Sequence, residues 1–228
     1  MKNQENNGSA SQFKNFARKI YLKLFGGHGL VSLLTKAIKD DWSVLDVGCG
    51  RDSILKYVNK GSYKVGVDIY EPYVKRATES NFYDEVIQAD ARKLPFESKS
   101  FDCAVAVEVL EHLDKSDGLV MLKELERVAR KKVIMTTPNG FLNTYAGPAD
   151  NPEEKHLSGY TAVEVKALGF RVHGLNGLKI LWKVKKGQAV PRIRPSRLGR
   201  LLIDMTEMFA YHFPSVAFQF FFVKEVSL

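Results

Sequence analysis

Short apolar runs recur along this chain at the length of buried strands. They are Val44 to Val47, Tyr63 to Asp68, Val86 to Asp90, Phe101 to Val107, Lys132 to Thr137, Gly169 to Gly174 and Ala217 to Val223. The first of these starts apolar and Phe101 to Val107 is nearly all apolar, which fits strands covered on both faces, as in a parallel sheet. Between them the apolar positions change to helical spacing. Ile54, Leu55 and Val58 follow the first run. Leu119, Leu122, Leu125 and Val128 form a stripe within 115–129, with Lys123, Glu124, Glu126 and Arg127 on the wet face. Tyr160 to Leu168 reads as another helix, with Thr161 near its start. Strand alternating with helix predicts a doubly wound α/β domain, whose ligand belongs at the carboxyl ends of the strands.

The ends of the chain are less regular. Residues 1–12 are polar, rich in Asn and Ser, and predict a disordered N-terminus ahead of a single domain over 13–228. Phe16, Ile20 and Leu24 place an amphipathic helix over 13–25, ended by Gly26-Gly27, and a second helix covers 30–38. Residues 141–159, with Gly147-Pro148 and Asn151-Pro152, are too irregular for a helix or strand. They leave the fifth strand on the ligand side and are assigned to the substrate pocket. Leu198, Leu201, Leu202, Met205 and Phe209 predict one helix over 197–211.

The candidate chemistry starts where the first strand ends, at Asp46-Val47-Gly48-Cys49-Gly50-Arg51-Asp52-Ser53. Gly48 and Gly50 allow a tight turn and a close approach of backbone to ligand. A dinucleotide fingerprint needs a third glycine, and Ser53 stands there instead. Asp46 lies where it would repel a pyrophosphate but attract a cationic group. Asp68 ends the second strand at the distance expected of an acid that accepts ribose hydroxyls.

LDVGCG, VGVD, QADARKLPF and SFDCAVAVEVLEHL, in this order and spacing, resemble the motifs of the class I S-adenosylmethionine (SAM) methyltransferases, and most of all their small-molecule branch with the ubiquinone-biosynthesis enzymes. The resemblance runs from Trp42 to Phe170. It implies a Rossmann-like fold: a seven-stranded, mostly parallel sheet with helices on both faces, N-terminal helices and an insertion before the last strand. It implies SAM as cofactor, with Asp46, Gly48, Cys49, Gly50, Asp68, Ile69, Asp90, Ala91 and Glu108 around it. Asp46 would face the sulfonium or methionine end and Asp68 the ribose. Asp90 would meet the adenine amino group with the Ala91 amide nearby, and Glu108 would lie where the methyl is presented. N-terminal helices in the family often form a lid; packing on the domain edge is the simpler alternative.

The expected reaction is methyl transfer to an oxygen or nitrogen of a small molecule or lipid. His112 and His156 are the candidate bases, because an unshifted imidazole suits proton transfer near neutrality. Glu108, Glu111 and His112 at i, i+3 and i+4 would share one face of a helical turn. With His156 they form a minority metal hypothesis for Mn, Fe or Zn. That pattern resembles the metal-dependent small-RNA terminal 2′-O-methyltransferases, so metal-assisted RNA 2′-O-methylation is one alternative function. A non-catalytic SAM-binding module is another. The missing third glycine argues against a nicotinamide-dependent oxidoreductase.

Composition narrows the partners. Hydrophobic residues at 45% and charged residues at 26% are ordinary for a globular domain of 228 residues. The two cysteines, Cys49 and Cys103, form no Cys-x-x-Cys pair and suggest neither zinc nor disulfides; with no signal peptide or membrane span in evidence, a cytoplasmic location is expected. The net charge of +8 is concentrated late in the chain. From Arg171 to Ile203 there are nine Lys or Arg residues and no Asp or Glu. This falls largely in the insertion over 175–215. A solvated basic face, an anionic membrane surface with peripheral attachment, and RNA are its three readings.

Overall fold

The computed structural model describes residues 29–143, 151–185 and 187–226. Nine strands are present among them: β1 (Ser43–Val47), β2 (Tyr63–Asp68), β3 (Glu85–Gln88), β4 (Phe101–Val107), β5 (Ala129–Pro138), β6 (Arg171–Leu178), β7 (Trp182–Lys185), β8 (Gln188–Pro191) and β9 (Ala217–Glu225). Seven of them form one sheet in the order β3-β2-β1-β4-β5-β9-β6. All neighbours are parallel except β9, which runs antiparallel to both β5 and β6. The Rossmann-like expectation is met, including the insertion between the last two sheet strands.

Six α-helices accompany the strands among the described residues: α1 (Leu30–Ala37), α2 (Glu71–Glu79), α3 (Lys115–Val128), α4 (Ala162–Ala167), α5 (Ser196–Met205) and α6 (Glu207–His212). Both faces of the sheet are buried. Leu45, Val47, Ala104 and Ala106 pack with Met121, Leu122 and Leu125 of α3. Val44, Cys103 and Val105 point the other way and pack with Leu33 and Leu34 of α1. Successive strand residues thus serve opposite cores, which is why β4 is apolar almost throughout. The Thr161 side chain caps α4 and is answered by Glu164, a reciprocal capping box.

Three expectations change. The helical pattern after the glycine turn is only a single 3₁₀ turn, Ile54–Tyr57. Ser53 caps it, and it closes when the Val58 N–H meets Leu55 O, so the apolar positions bury one turn against α1. The helix over 197–211 is broken at Thr206. There β6 presses against the helix: the Asn176 and Gly177 N–H groups donate to Glu207, and the Leu178 N–H donates to Thr206 Oγ1. The polar α2 has no apolar stripe to announce it, yet Pro72 suits its first turn, and Tyr73 and Ala77 bury its inner side. The helix expected over 13–25 and the disorder expected over 1–12 lie outside the described residues. Helix α1 packs in the core and lines neither cleft described below; the other helix of the lid reading lies outside the described residues.

Helix α6 sits directly on β6 at Gly174, where an added Cβ would lie 2.1 Å from Ala210 O and 2.5 Å from Ala217 Cβ. Gly174→Ala should therefore lower stability by about 1–3 kcal/mol. Urea denaturation of variant and parent measures it, and an unchanged midpoint would show that α6 is not held against the sheet.

Candidate active site

Strand β1 is flanked by β2 on one side and β4 on the other, so the chain connections leave the sheet in opposite directions at its carboxyl end. A crevice at such a switch point is where open α/β sheets bind ligands. Gly48 and Gly50 both take left-handed backbone, with φ of +71° and +58°. A Cβ on Gly48 would lie 2.4 Å from Val109 Cγ2. One on Gly50 would meet nothing closer than Gly48 O at 4.0 Å, so this glycine faces open space. The Gly48 and Cys49 N–H groups donate to Val67 O, and the Gly50 N–H donates to Asp68 Oδ2 at 2.8 Å.

Two adjoining clefts open here. The smaller, about 240 Å³, is lined by Asp68, Ile69, Asp90, Ala91, Gly50 and others beyond β2 and β3. The larger, about 500 Å³, lies toward Glu108, Glu111, His112, Pro138, His156 and Phe218. Gly48, Gly50, Glu108 and His112 border both. Every candidate site residue read from the sequence lines one or both clefts.

Asp68 is suited to a diol. Its Oδ1 accepts from the Tyr70 N–H at 3.0 Å and its Oδ2 from Gly50, which fixes the carboxylate and leaves lone pairs on each oxygen. Asp46 is turned inward: it accepts from Ser53 Oγ at 2.6 Å and Tyr83 Oη at 2.5 Å. Its burial pushes the carboxyl up to about 6 against these two hydrogen bonds. The Cys49 thiol faces β2, 3.2 Å from where a Cβ added to Gly66 would lie, and burial raises it well out of the reactive range. Asp90 is engaged by Arg92, which donates from Nε and Nη2 to the two carboxylate oxygens and also reaches Asp117. Its side chain therefore braces the loop, while it and Ala91 still border the smaller cleft.

The far wall is a cluster of acids and imidazoles. Glu108 follows β4 with φ of +56°, a conformation uncommon outside glycine. Its backbone N–H donates to Thr136 Oγ1 at 3.1 Å, and its Oε1 accepts from the same hydroxyl at 2.9 Å. The helical turn begins only at Leu110, as the 3₁₀ segment Leu110–His112. The expected single helical face for Glu108, Glu111 and His112 is therefore absent. What converges instead is Glu111, His112 and His156, with one ligand atom of each within 4.8 Å of the others. The rings of His112 and His156 meet edge to face at 4.9 Å.

Glu111 is 1% exposed; its Oε2 accepts from Thr137 Oγ1, and its carboxyl shares a hydrogen bond with that of Glu108. Burial, then the nearby Glu108 carboxyl, push it well above the usual range. Burial also lowers both imidazoles, His156 to about 4 with help from the neighbouring His112. Near neutral pH the wall thus presents two uncharged rings.

Other residues of the site carry little or no sequence signal. Tyr83 and Ser53 hold Asp46, Arg92 holds Asp90, and Tyr73 on α2 donates to Glu154 Oε1 at 2.7 Å at the cleft border. Ser53 is visible as the residue in place of a third glycine. Tyr83, in a loop before β3, has no local pattern to mark it. The β7–β8 hairpin also reaches the larger cleft through Gln188 and Ala189, which places the insertion beside the site.

Residues 45–136 match the model of a methyltransferase domain family. A tRNA (carboxymethyluridine(34)-5-O)-methyltransferase of Arabidopsis thaliana is 29% identical over 124 residues, 54% of this chain and 28% of that protein. A sterol 24-C-methyltransferase of Gibberella zeae is 31% identical over 116 residues, 47% of this chain and 28% of that protein. The chain spans between 28% and 54% of the length of the curated relatives it matches. Among solved structures, magnesium protoporphyrin IX methyltransferase from Synechocystis with bound SAH superposes with a TM-score of 0.53 at 14% identity, over 87% of this chain and 80% of that one.

The inward carboxyl of Asp46 has a measurable consequence. Its folded value, about 6, lies above that of an unfolded chain. The stability this adds is complete below about pH 4 and is lost as pH rises through about 6. Asp46→Asn keeps an acceptor for Ser53 and Tyr83 but has no proton to lose. From pH 4 to 7 the stability difference should move in the variant's favour by on the order of 2–3 kcal/mol. Denaturant titrations at the two pH values read it, and a constant difference would contradict it.

Proposed function

We propose that this chain is a class I SAM-dependent methyltransferase that methylates a hydroxyl oxygen of a small-molecule or lipid acceptor; the match of residues 45–136 to a methyltransferase domain family supports the first part. The observation that carries the choice of an oxygen is the convergence of Glu111, His112 and His156 on the wall of the larger cleft. When bound, SAM supplies a methyl group on a positively charged sulfur that leaves as a neutral thioether.

The residues present fit that cofactor. Gly50 leaves open space beside the turn, and Asp68 offers fixed carboxylate oxygens for ribose hydroxyls. Ile69 and Ala91 offer apolar surface and backbone groups for the adenine. The chain then has to position the acceptor and take its proton. The larger cleft, bounded by Phe218, Pro138 and Leu142 on its apolar sides, holds a carbon skeleton against the polar wall. The neutral imidazole of His112 accepts the hydroxyl proton, whereas burial lowers His156 to about 4, which overturns its reading as an unshifted base and leaves it to orient the acceptor. Alignment and a preorganised field do most of the work in such a displacement. The two relatives are named for different acceptors, an RNA in one and a sterol in the other, so they do not select the substrate.

Asp68→Ala should weaken SAM binding by about 2–3 kcal/mol, the worth of a charged acceptor for two hydroxyls. Isothermal titration of a correctly folded variant is the measurement, and unchanged affinity removes Asp68 from the site. Transfer of labelled methyl from SAM into fractionated lipid, small-molecule, RNA and protein pools identifies the acceptor class. Label confined to RNA or protein would overturn the proposal.

A second reading has an observation of its own. One ligand atom each of Glu111, His112 and His156 lies within 4.8 Å of the others, a nitrogen and oxygen donor set that suits Mn, Fe or Zn better than Mg. A divalent cation held by Glu111, His112 and His156 would lower the pKa of an acceptor hydroxyl. Glu108, committed to Thr136, is not one of the converging ligands. On this reading, protein purified without chelator carries about one metal ion per chain. EDTA then abolishes activity, and His156→Ala loses the metal. Full activity without metal leaves His112 as base and His156 to orient the acceptor.

A further inference from the structure

The insertion between β6 and β9 presents a face that the active site does not use. On α5, Gly199 and Ile203 turn inward; a Cβ on Gly199 would lie 2.7 Å from Ile193 O. On α6, Glu207 and Ala210 turn inward. Much of the outward side is apolar: Leu198, Leu201, Met205, Met208, Phe209 and Phe213 are each between 44% and 62% exposed. Their spacing of three or four residues makes one stripe along both helices, and Phe209 and Phe213 stack on each other at its far end. Beside the stripe stand the exposed Arg194, Arg197 and Arg200. A shallow groove between Pro191, Ser196, Arg197, Arg200, Leu201 and Asp204 joins the basic and apolar parts.

We propose that this face docks on the surface of an anionic lipid bilayer, with the apolar stripe in the acyl boundary and the arginines at the headgroups. A helix with bulky apolar residues on one side and cations at its flanks is the arrangement that lies in a membrane interface. Charge and apolarity together select this occupant. A second copy of the chain would bring the same arginines against one another. A nucleic acid would satisfy the arginines and leave the aliphatic stripe in water. An anionic bilayer satisfies both. No described helix is long and apolar enough to cross a membrane, so the contact is with the surface.

The face is coupled to the cleft. Arg200 lies over the Trp182 ring at 5.4 Å, and Trp182 stacks on Phe218, which lines the larger cleft. Docking would hold that cleft close to the bilayer, where a lipid acceptor resides. This consequence rests on the proposed function; the docking itself does not.

The test is co-sedimentation of the full chain with vesicles of phosphatidylcholine alone and of phosphatidylcholine with phosphatidylglycerol, at low and high salt. It needs neither cofactor nor turnover, so it is independent of the methyltransferase reading. Binding is expected to the anionic vesicles only and to weaken with salt. A Met205→Ser, Phe209→Ser, Phe213→Ser variant should bind at least about tenfold less, and an Arg194→Glu, Arg197→Glu variant should not bind. These residues are exposed, and a thermal melt matching the parent confirms that each variant is folded. No binding of the parent overturns the proposal. So does vesicle binding that the serine variant retains in full, which would make the surface merely basic. A dimer in sedimentation velocity that the serine variant abolishes, without vesicle binding, assigns the face to a second copy and also overturns it.

Discussion

The left-handed turn at Gly48 and Gly50 is the constraint on which the rest of the structure depends. It brings the carboxyl ends of β1, β2 and β4 within reach of one another without a side chain between them. Val109, just after β4, fills the space a Cβ on Gly48 would need. Val67 O takes two N–H groups from the turn, and Asp68 takes the third. The same carboxylate that closes the turn therefore also faces the cleft. On the proposed function, folding and ribose recognition share it.

Opposite that floor, the structure keeps ionisable groups under cover. Glu111 sits buried against the carboxyl of Glu108, near two imidazoles that burial keeps neutral. Such an arrangement is costly unless a ligand answers it. A substrate hydroxyl or a cation would answer it, and both proposed readings of the function start from this wall. The left-handed backbone at Glu108 serves the same end, since it stops β4 abruptly and lets the next turn deliver Glu111 and His112 to the cleft.

Much of this is legible in the sequence, and the reason is periodicity. A strand covered on both sides is apolar nearly throughout, so β4 can be read to the residue, and the acids that follow β2 and β4 mark the cleft. Where contacts are distant in sequence the pattern is silent. Tyr83 reaches Asp46 across 37 positions. The break in the helix at Thr206 is imposed by β6 and has no glycine or proline to announce it. The turn after Ser53 shows the converse: its apolar positions read correctly as buried but need only one turn to be so. Spacing suggests that Glu108, Glu111 and His112 share a helical face; tertiary folding instead leaves Glu108 out and joins Glu111 and His112 to His156, the fourth candidate, more than forty positions away from Glu111.

The turn and the acid–imidazole wall are the two ends of one site, and a crystal structure of the chain with S-adenosylhomocysteine tests this most directly. The ribose hydroxyls are expected on Asp68, the adenine between Ile69 and Ala91, and the sulfur directed to the side bordered by Glu108 and His112. Adenosine bound elsewhere, or its sulfur directed away from that wall, would contradict it.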